Sequence, residues 1–333
     1  MNLYEIWGIG MKKILCSGFI ILSAMFIFPL CGIKSGDAPA VAAATKLFIS
    51  KTDKQQKTSD SFRICDMQTD TVSVMTAKDY VFGVVAAEMP ALYDTEALKA
   101  QAVAAYTLAC RRRADNKDKS YDLTTDYTVD QSYISKADAE KRWGDKAAEY
   151  SKKIESAVAA VENLAVTYGG EPITAVYHAI SSGRTEDCRD IWGGSLPYLK
   201  PVSSPGDKLA PDYTSEVKVS AEELQKKLGD ECKLSGDPAA YFGEPKRTES
   251  GSVLTVPVCG TDISGGKIRS IFDLRSLNYS VKYADGNFTF TVRGYGHDVG
   301  MSQYGADYMA KQGNNFKEIL TYYYTGCKVE KIG

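Results

Sequence analysis

DYVFGVVAAEMPALYDTEALKAQAVAAYTLA, residues Asp79 to Ala109, reads as two helices broken at a proline. Val81, Val84, Val85 and Glu88 follow at the i, i+3, i+4, i+7 spacing of one helical face, so a carboxylate stands in line with an apolar stripe. Pro90 ends the first helix near Met89, because the residue before proline is pushed out of the α region. Glu88 therefore falls in the last turn, where the helix dipole opposes a negative charge. Two readings follow: the side chain closes the helix and turns to water, or partial burial and the dipole raise its pKa toward neutrality and make it a proton donor. Asp94 then caps a second helix from about Thr95 to Arg111, and its small face of Ala97, Ala100, Ala104 and Leu108 suits close packing against the first. Arg111 to Arg113 complement the dipole at its C-terminal end.

Working toward the amino terminus, FRICD and VSVM flank a polar turn at Gln68–Asp70 and predict a β-hairpin, and Thr76 with Asp79 predicts a capping box on the first helix. Residues 14–33 form an uncharged run of twenty behind Lys12 and Lys13, long enough to cross a bilayer with residues 1–13 inside. The run reads as a transmembrane anchor or as a signal peptide removed after export, with 34–60 as a linker and 61–333 as one extracytoplasmic domain. The chain has 333 residues, 44% of them hydrophobic, enough for a sizeable core. A net charge of −2 offers nothing to nucleic acid. Two histidines and eight scattered cysteines without a C-x-x-C pair argue against a metal centre and for free thiols.

Toward the carboxyl terminus, TVDQSYIS carries Gln131, and a helix is expected from about Lys146 to Leu164. Gly169-Gly170 joins two β-like runs, the second ending in YHAISSGRTE, residues 177–186. Residues 203–246 read as a loop-rich insertion without chemistry, in which Ser220 and Glu223 cap a short helix. Asp285-Gly286 marks a hairpin between YSVKYA and FTFTVR. GYGHDVGMSQYGADYMA follows, and its glycines at 294, 296 and 300 permit a tight strand-to-helix connection with exposed amides. No P-loop pattern occurs, so that glycine-bearing loop is not read as a nucleotide site. The closing FKEILTYYYTG is a core helix, with Ile319, Leu320, Tyr322 and Tyr323 turned inward. His178, Ser182 and Glu186 lie too close together on one strand and loop for a hydrolytic triad. Strands and helices intermix without a βαβ period, which predicts an α+β fold.

GVVAAEMP with ALKAQAVAA resembles the signature of the stage II sporulation protein D family, and GYGHDVGMSQ resembles its second signature, with Asp298 in place of a usual glycine. IWGGSLPYL and YHAISSGRTE also fit, with Ala179 where many members have serine. The resemblance implies a peptidoglycan lytic transglycosylase in which Glu88 is the catalytic acid. It further implies sugar contacts from Gln101, Gln131, His178, Ser181, Ser182, Gly183, Thr185, Glu186, His297, Ser302, Gln303 and Tyr304, with no cofactor. For the reading to stand, the loops around His178 and His297 must converge on Glu88. Some members hold zinc through Cys and His near the DQ pair, where this chain has Thr128, Val129 and Asp130, so no metal is expected. Implied partners are peptide-stripped glycan strands, a wall amidase and a membrane protein of forespore engulfment. The same family includes non-catalytic amidase enhancers, which usually carry wall-binding repeats; this chain has no internal repeat.

Overall fold

The computed structural model describes residues 61–229 and 231–332. The segments expected as cytoplasmic terminus, membrane span and linker lie outside them, and no helix among the described residues is long and apolar enough to cross a membrane. The chain opens with the expected hairpin, β1 (Ser61–Asp66) against β2 (Thr71–Thr76). The Thr76 hydroxyl then accepts from the Asp79 amide at 3.1 Å and donates to the Asp79 carboxylate at 2.7 Å, starting α1 (Ala77–Glu88). Met89 is extended, at φ −122° and ψ 142°, as a residue before proline must be. Burial on α1 is wider than a single stripe, because Tyr80, Phe82 and Ala86 are enclosed along with Val81, Val84 and Val85.

Asp94 caps α2 (Thr95–Asp115) through the Glu96 amide at 2.8 Å. The helix runs past the expected Arg111 by one turn, to where Arg111 ion-pairs with Asp115 at 3.1 Å. Its alanines are almost all enclosed, and it forms the axis of the larger hydrophobic cluster. β3 (Leu123–Thr124) lies parallel to β1. A further helix, α3 (Lys136–Trp143), capped by Ser135, precedes the one expected over 146–164, which is α4 (Ala147–Ala160). The second stops early because Asn163 takes a left-handed φ of 61° and Leu164 begins a strand.

That strand is β4 (Leu164–Tyr168), which turns through Gly169 and Gly170, both at positive φ, into the short β5 (Glu171–Pro172). Then come β6 (Tyr177–His178) and α5 (Cys188–Trp192). The segment 203–246 is not a loop-rich insertion. It contains β7 (Thr214–Ser220) and α6 (Ala221–Leu228), with Ser220 accepting from the Glu223 amide as expected, and Leu224 and Leu228 are fully buried. After β8 (Lys246–Arg247), β9 (Val253–Val258) and β10 (Thr261–Ser264) come α7 (Gly265–Phe272), β11 (Asn278–Ala284) and β12 (Asn287–Arg293). β12 sits between β11 and β7, antiparallel to both, so the alternation of Val217 and Val219 continues a sheet that needs it. A second hydrophobic cluster forms around Phe272, Tyr279, Phe288 and Phe290.

β13 (Met301–Ser302) pairs in parallel with β6, Ser302 opposite His178, and leads into α8 (Gln303–Lys311). α9 (Phe316–Tyr323) returns Ile319, Leu320 and Tyr323 to the larger core, whereas Tyr322 stays 40% exposed rather than turning inward. β14 (Lys328–Lys331) closes on β4. The result is the expected α+β domain, built on two cores. The cysteines among the described residues are all free thiols.

Candidate functional site

Glu88 sits half-buried at the end of α1. Its Oε1 accepts from the Ser132 amide at 3.0 Å and its Oε2 from Gln303 Nε2 at 3.4 Å. Burial raises its pKa above the ordinary carboxyl value, while the bonds from Ser132 and Gln303 work against the shift. Both groups that bond it are neutral, so no positive charge joins them in favouring the anion. Gln303 Nε2 also lies 3.5 Å from Gln101 Oε1, which places the fully buried Gln101 of α2 beside the acid.

Gln131 completes a neutral network around this cluster. It donates through Nε2 to the Tyr80 hydroxyl at 3.1 Å and to the Ala105 carbonyl at 3.2 Å, and its Oε1 accepts from the Tyr177 hydroxyl at 2.7 Å. Burial raises the pKa of both tyrosines far above its ordinary value, and the nearby Glu88 carboxyl adds to that. They therefore stay protonated. Sequence reasoning passed over Tyr80, Ser132 and Tyr177. Ser132 follows the DQ pair and Tyr177 precedes His178, so adjacency to a motif was the available signal; Tyr80 looked like any core aromatic.

Neither histidine is hydrogen-bonded to the acid. His178 Nδ1 meets the Val299 carbonyl at 3.2 Å, so that nitrogen carries the proton, and Nε2 is buried without a partner. His297 is the opposite tautomer: Nδ1 accepts from the Val299 amide at 3.1 Å. The rings meet edge-on at 5.6 Å. Burial lowers His178 from 6.5 to about 3 and His297 to about 4. From the two loops, Gln303 bonds Glu88 directly, and Tyr177 bonds Gln131, the residue before the Ser132 that holds Glu88.

The other expected contacts are bound within the scaffold. Ser181, through its amide at 3.0 Å and its hydroxyl, donates to Asp207, and Ser302 donates to the same carboxylate at 2.8 Å. Asp207 comes from the segment expected to be inert. It is fully buried and joins the loop after β6 to the cap of α8, next to Gln303. Gly183 adopts φ 104° and donates to the Ser181 hydroxyl. The Ser182 amide bonds Asp298, and Thr185 exchanges hydrogen bonds with Val202. Glu186 accepts from Thr248 at 2.7 Å and from the Ser252 amide at 3.3 Å, tying the two cores together. Tyr304 donates to the Leu209 carbonyl at 3.1 Å. Two surface hollows, of about 150 and 490 Å³, open beside Tyr133 rather than at Glu88. Among the described residues no group of three or more His, Cys, Asp or Glu side chains is placed to hold a metal ion.

Two predictions arise here. First, Gln303→Ala removes a donor that favours the Glu88 anion, so the pH at which activity is half lost on the alkaline side should rise; an unchanged pH–rate profile would remove Gln303 from the site. Second, because both histidines titrate below their ordinary 6.5 when folded, the stability they contribute is complete above 6.5 and lost as pH falls through about 4 and 3. Unfolding free energies from urea titration should drop on that limb by an amount on the order of a few kcal/mol, and less in His178→Gln.

The domain is α+β and holds one half-buried carboxyl group at a helix end, hydrogen-bonded by a backbone amide and a glutamine side chain. Residues 65–168 match the family described as SpoIID, stage II sporulation protein. Stage II sporulation protein D of Bacillus subtilis (strain 168) is 35% identical over 96% of this chain and 94% of its own length. The protein of that name from Bacillus amyloliquefaciens is 39% identical over 78% of this chain and 76% of its own length. An amidase enhancer of Bacillus subtilis is 27% identical over 73% of this chain but only 39% of its own length. The chain belongs to the stage II sporulation protein D family.

Proposed function

We propose that the protein is a lytic transglycosylase that cuts the bond between N-acetylmuramic acid and N-acetylglucosamine in peptidoglycan. The observation that carries this reading is Glu88, a carboxyl group with a raised pKa and only neutral hydrogen-bond donors. A two-carboxylate glycosidase places its second carboxylate across the scissile bond. A lytic transglycosylase takes its nucleophile from the substrate, so one acid suffices. Protonated Glu88 gives its proton to the glycosidic oxygen as the bond from muramyl C1 to that oxygen breaks. The Glu88 carboxylate then removes the proton from the muramyl C6 hydroxyl, O6 bonds to C1, and a 1,6-anhydro ring closes. The acid is regenerated and no water is consumed. Gln303 and Ser132 hold both carboxylate oxygens through the cycle, and the Tyr80–Gln131–Tyr177 chain fixes the wall behind them without adding charge.

In this reading the domain works outside the cytoplasmic membrane, behind its N-terminal anchor, on strands that a wall amidase has stripped of peptide, and serves forespore engulfment with membrane partners. The likeness to an amidase enhancer supports a second reading, in which the domain binds wall and stimulates an amidase. Incubating the full chain with peptide-free glycan strands separates them. Anhydro-ended fragments in the mass spectrum support the first reading, whereas binding without cleavage, with faster turnover of an added amidase, supports the second.

A further inference from the structure

Trp192 is the one large aromatic side chain on α5, and half of it faces water. Its neighbours Ile191 and Leu196 pack against the larger core, but Trp192 does not. Burying an indole is strongly favourable, so leaving one at 50% exposure in a tightly held segment calls for a reason. The segment is tightly held: Asp187 caps α5 through the Arg189 amide at 2.9 Å, and Gly193 ends it at φ 79°. The Cys188 thiol then donates to the Gly194 carbonyl at 3.1 Å and accepts from the Leu196 amide at 3.2 Å.

The indole lies against the His297 ring, centroid to centroid 4.9 Å. His297 is itself fixed by its bond from the Val299 amide, and its ring meets that of His178 at 5.6 Å. Tyr177, next to His178, bonds Gln131 through its hydroxyl, and the amide of the following residue, Ser132, holds Glu88. The contact chain from Trp192 to Glu88 therefore runs through both histidines, Tyr177 and Gln131. The indole is not among the groups that hold the acid, so its place is against another sugar of the same strand.

We propose that Trp192, backed by His297, is a stacking platform for a saccharide ring of the glycan strand at a subsite remote from the scissile bond. A pyranose ring presents a flat face of C–H groups with hydroxyls around its rim, which suits an amphipathic aromatic plate. Because His297 stays neutral, the platform carries no charge and discriminates by shape rather than by the acidity of the strand. This inference rests on the glycan-cleaving reading above.

The test uses the full chain and peptide-free glycan strands of different lengths. Trp192→Ala should raise KM on long strands about ten-fold, as the loss of one stacking contact would, and leave kcat unchanged. Trp192→Phe should stay near the parent value. On fragments too short to reach the platform, parent and variant should be alike. Equal KM values for Trp192→Ala and the parent on long strands would overturn the proposal, as would a fall in kcat with KM unchanged. If the parent neither binds nor cleaves any strand, the glycan-cleaving reading itself fails, and the platform with it; a parent that binds and cuts while Trp192→Ala equals it sinks the platform alone.

Discussion

Glu88→Gln should keep the fold and the affinity for glycan strands while turnover falls by roughly 10²–10⁴-fold, the span expected when a general acid is removed. Glutamine matches the shape of the protonated carboxyl and can still meet the Ser132 amide, so the hydrogen-bonded frame survives. The same substitution should stabilise the protein at alkaline pH. A carboxyl whose folded pKa is raised contributes stability fully present below its ordinary 4.5, and that contribution is lost as pH rises through the raised value. Glutamine has no such loss. Melting temperatures of parent and variant should therefore converge below 4.5 and separate above it, with the variant higher. Convergence at all pH values would show that Glu88 faces water and only closes its helix.

Gly300→Ala should be the most damaging single-methyl change in the second signature. Gly300 adopts φ 75°, and a methyl group there would overlap the Val176 carbonyl oxygen, a backbone atom that cannot swing aside. Left-handed strain and steric overlap together should cost about 2–5 kcal/mol and lower the melting temperature by roughly 5–15 °C. The loss should extend to function. Met301 and Ser302, directly after Gly300, pair with Tyr177 and His178, and Gln303 follows them to Glu88. Gly313 is the control, since it also has positive φ, at 95°, but open space around it. Gly313→Ala should pay only the conformational term, about 1 kcal/mol, and keep its activity.

How much of this was legible in the sequence follows from the range over which each signal acts. Thr76, Asp94 and Ser220 as caps, the Asp285-Gly286 turn and the break at Pro90 are local, and each was found where expected. The placement of Glu88 was readable because period and proline together specify a face and an end. The segment 203–246 was misread because β7 is largely exposed on its own; its partner β12 lies more than sixty residues on, and only pairing gives it a reason to exist. Asp207 was invisible for the same reason. A buried aspartate between two serines looks, in sequence, like any loop acid after a Pro-Gly turn. The reading singled out the histidines, but what bonds Glu88 is Gln303 and the Ser132 amide. Histidine in a motif draws attention by its chemistry, whereas the Val299 backbone that engages Nδ1 of each ring leaves no trace in sequence.

The central claim, that Glu88 cuts the strand with the substrate's own C6 hydroxyl as nucleophile, is tested most directly by running the reaction in water enriched in heavy oxygen and weighing the new ends. An anhydro ring takes its oxygen from the sugar, so the account predicts muramyl ends lighter than a hydrolysis product by one water and free of heavy oxygen, absent when Glu88→Gln replaces the parent. Reducing muramyl ends carrying heavy oxygen would contradict it.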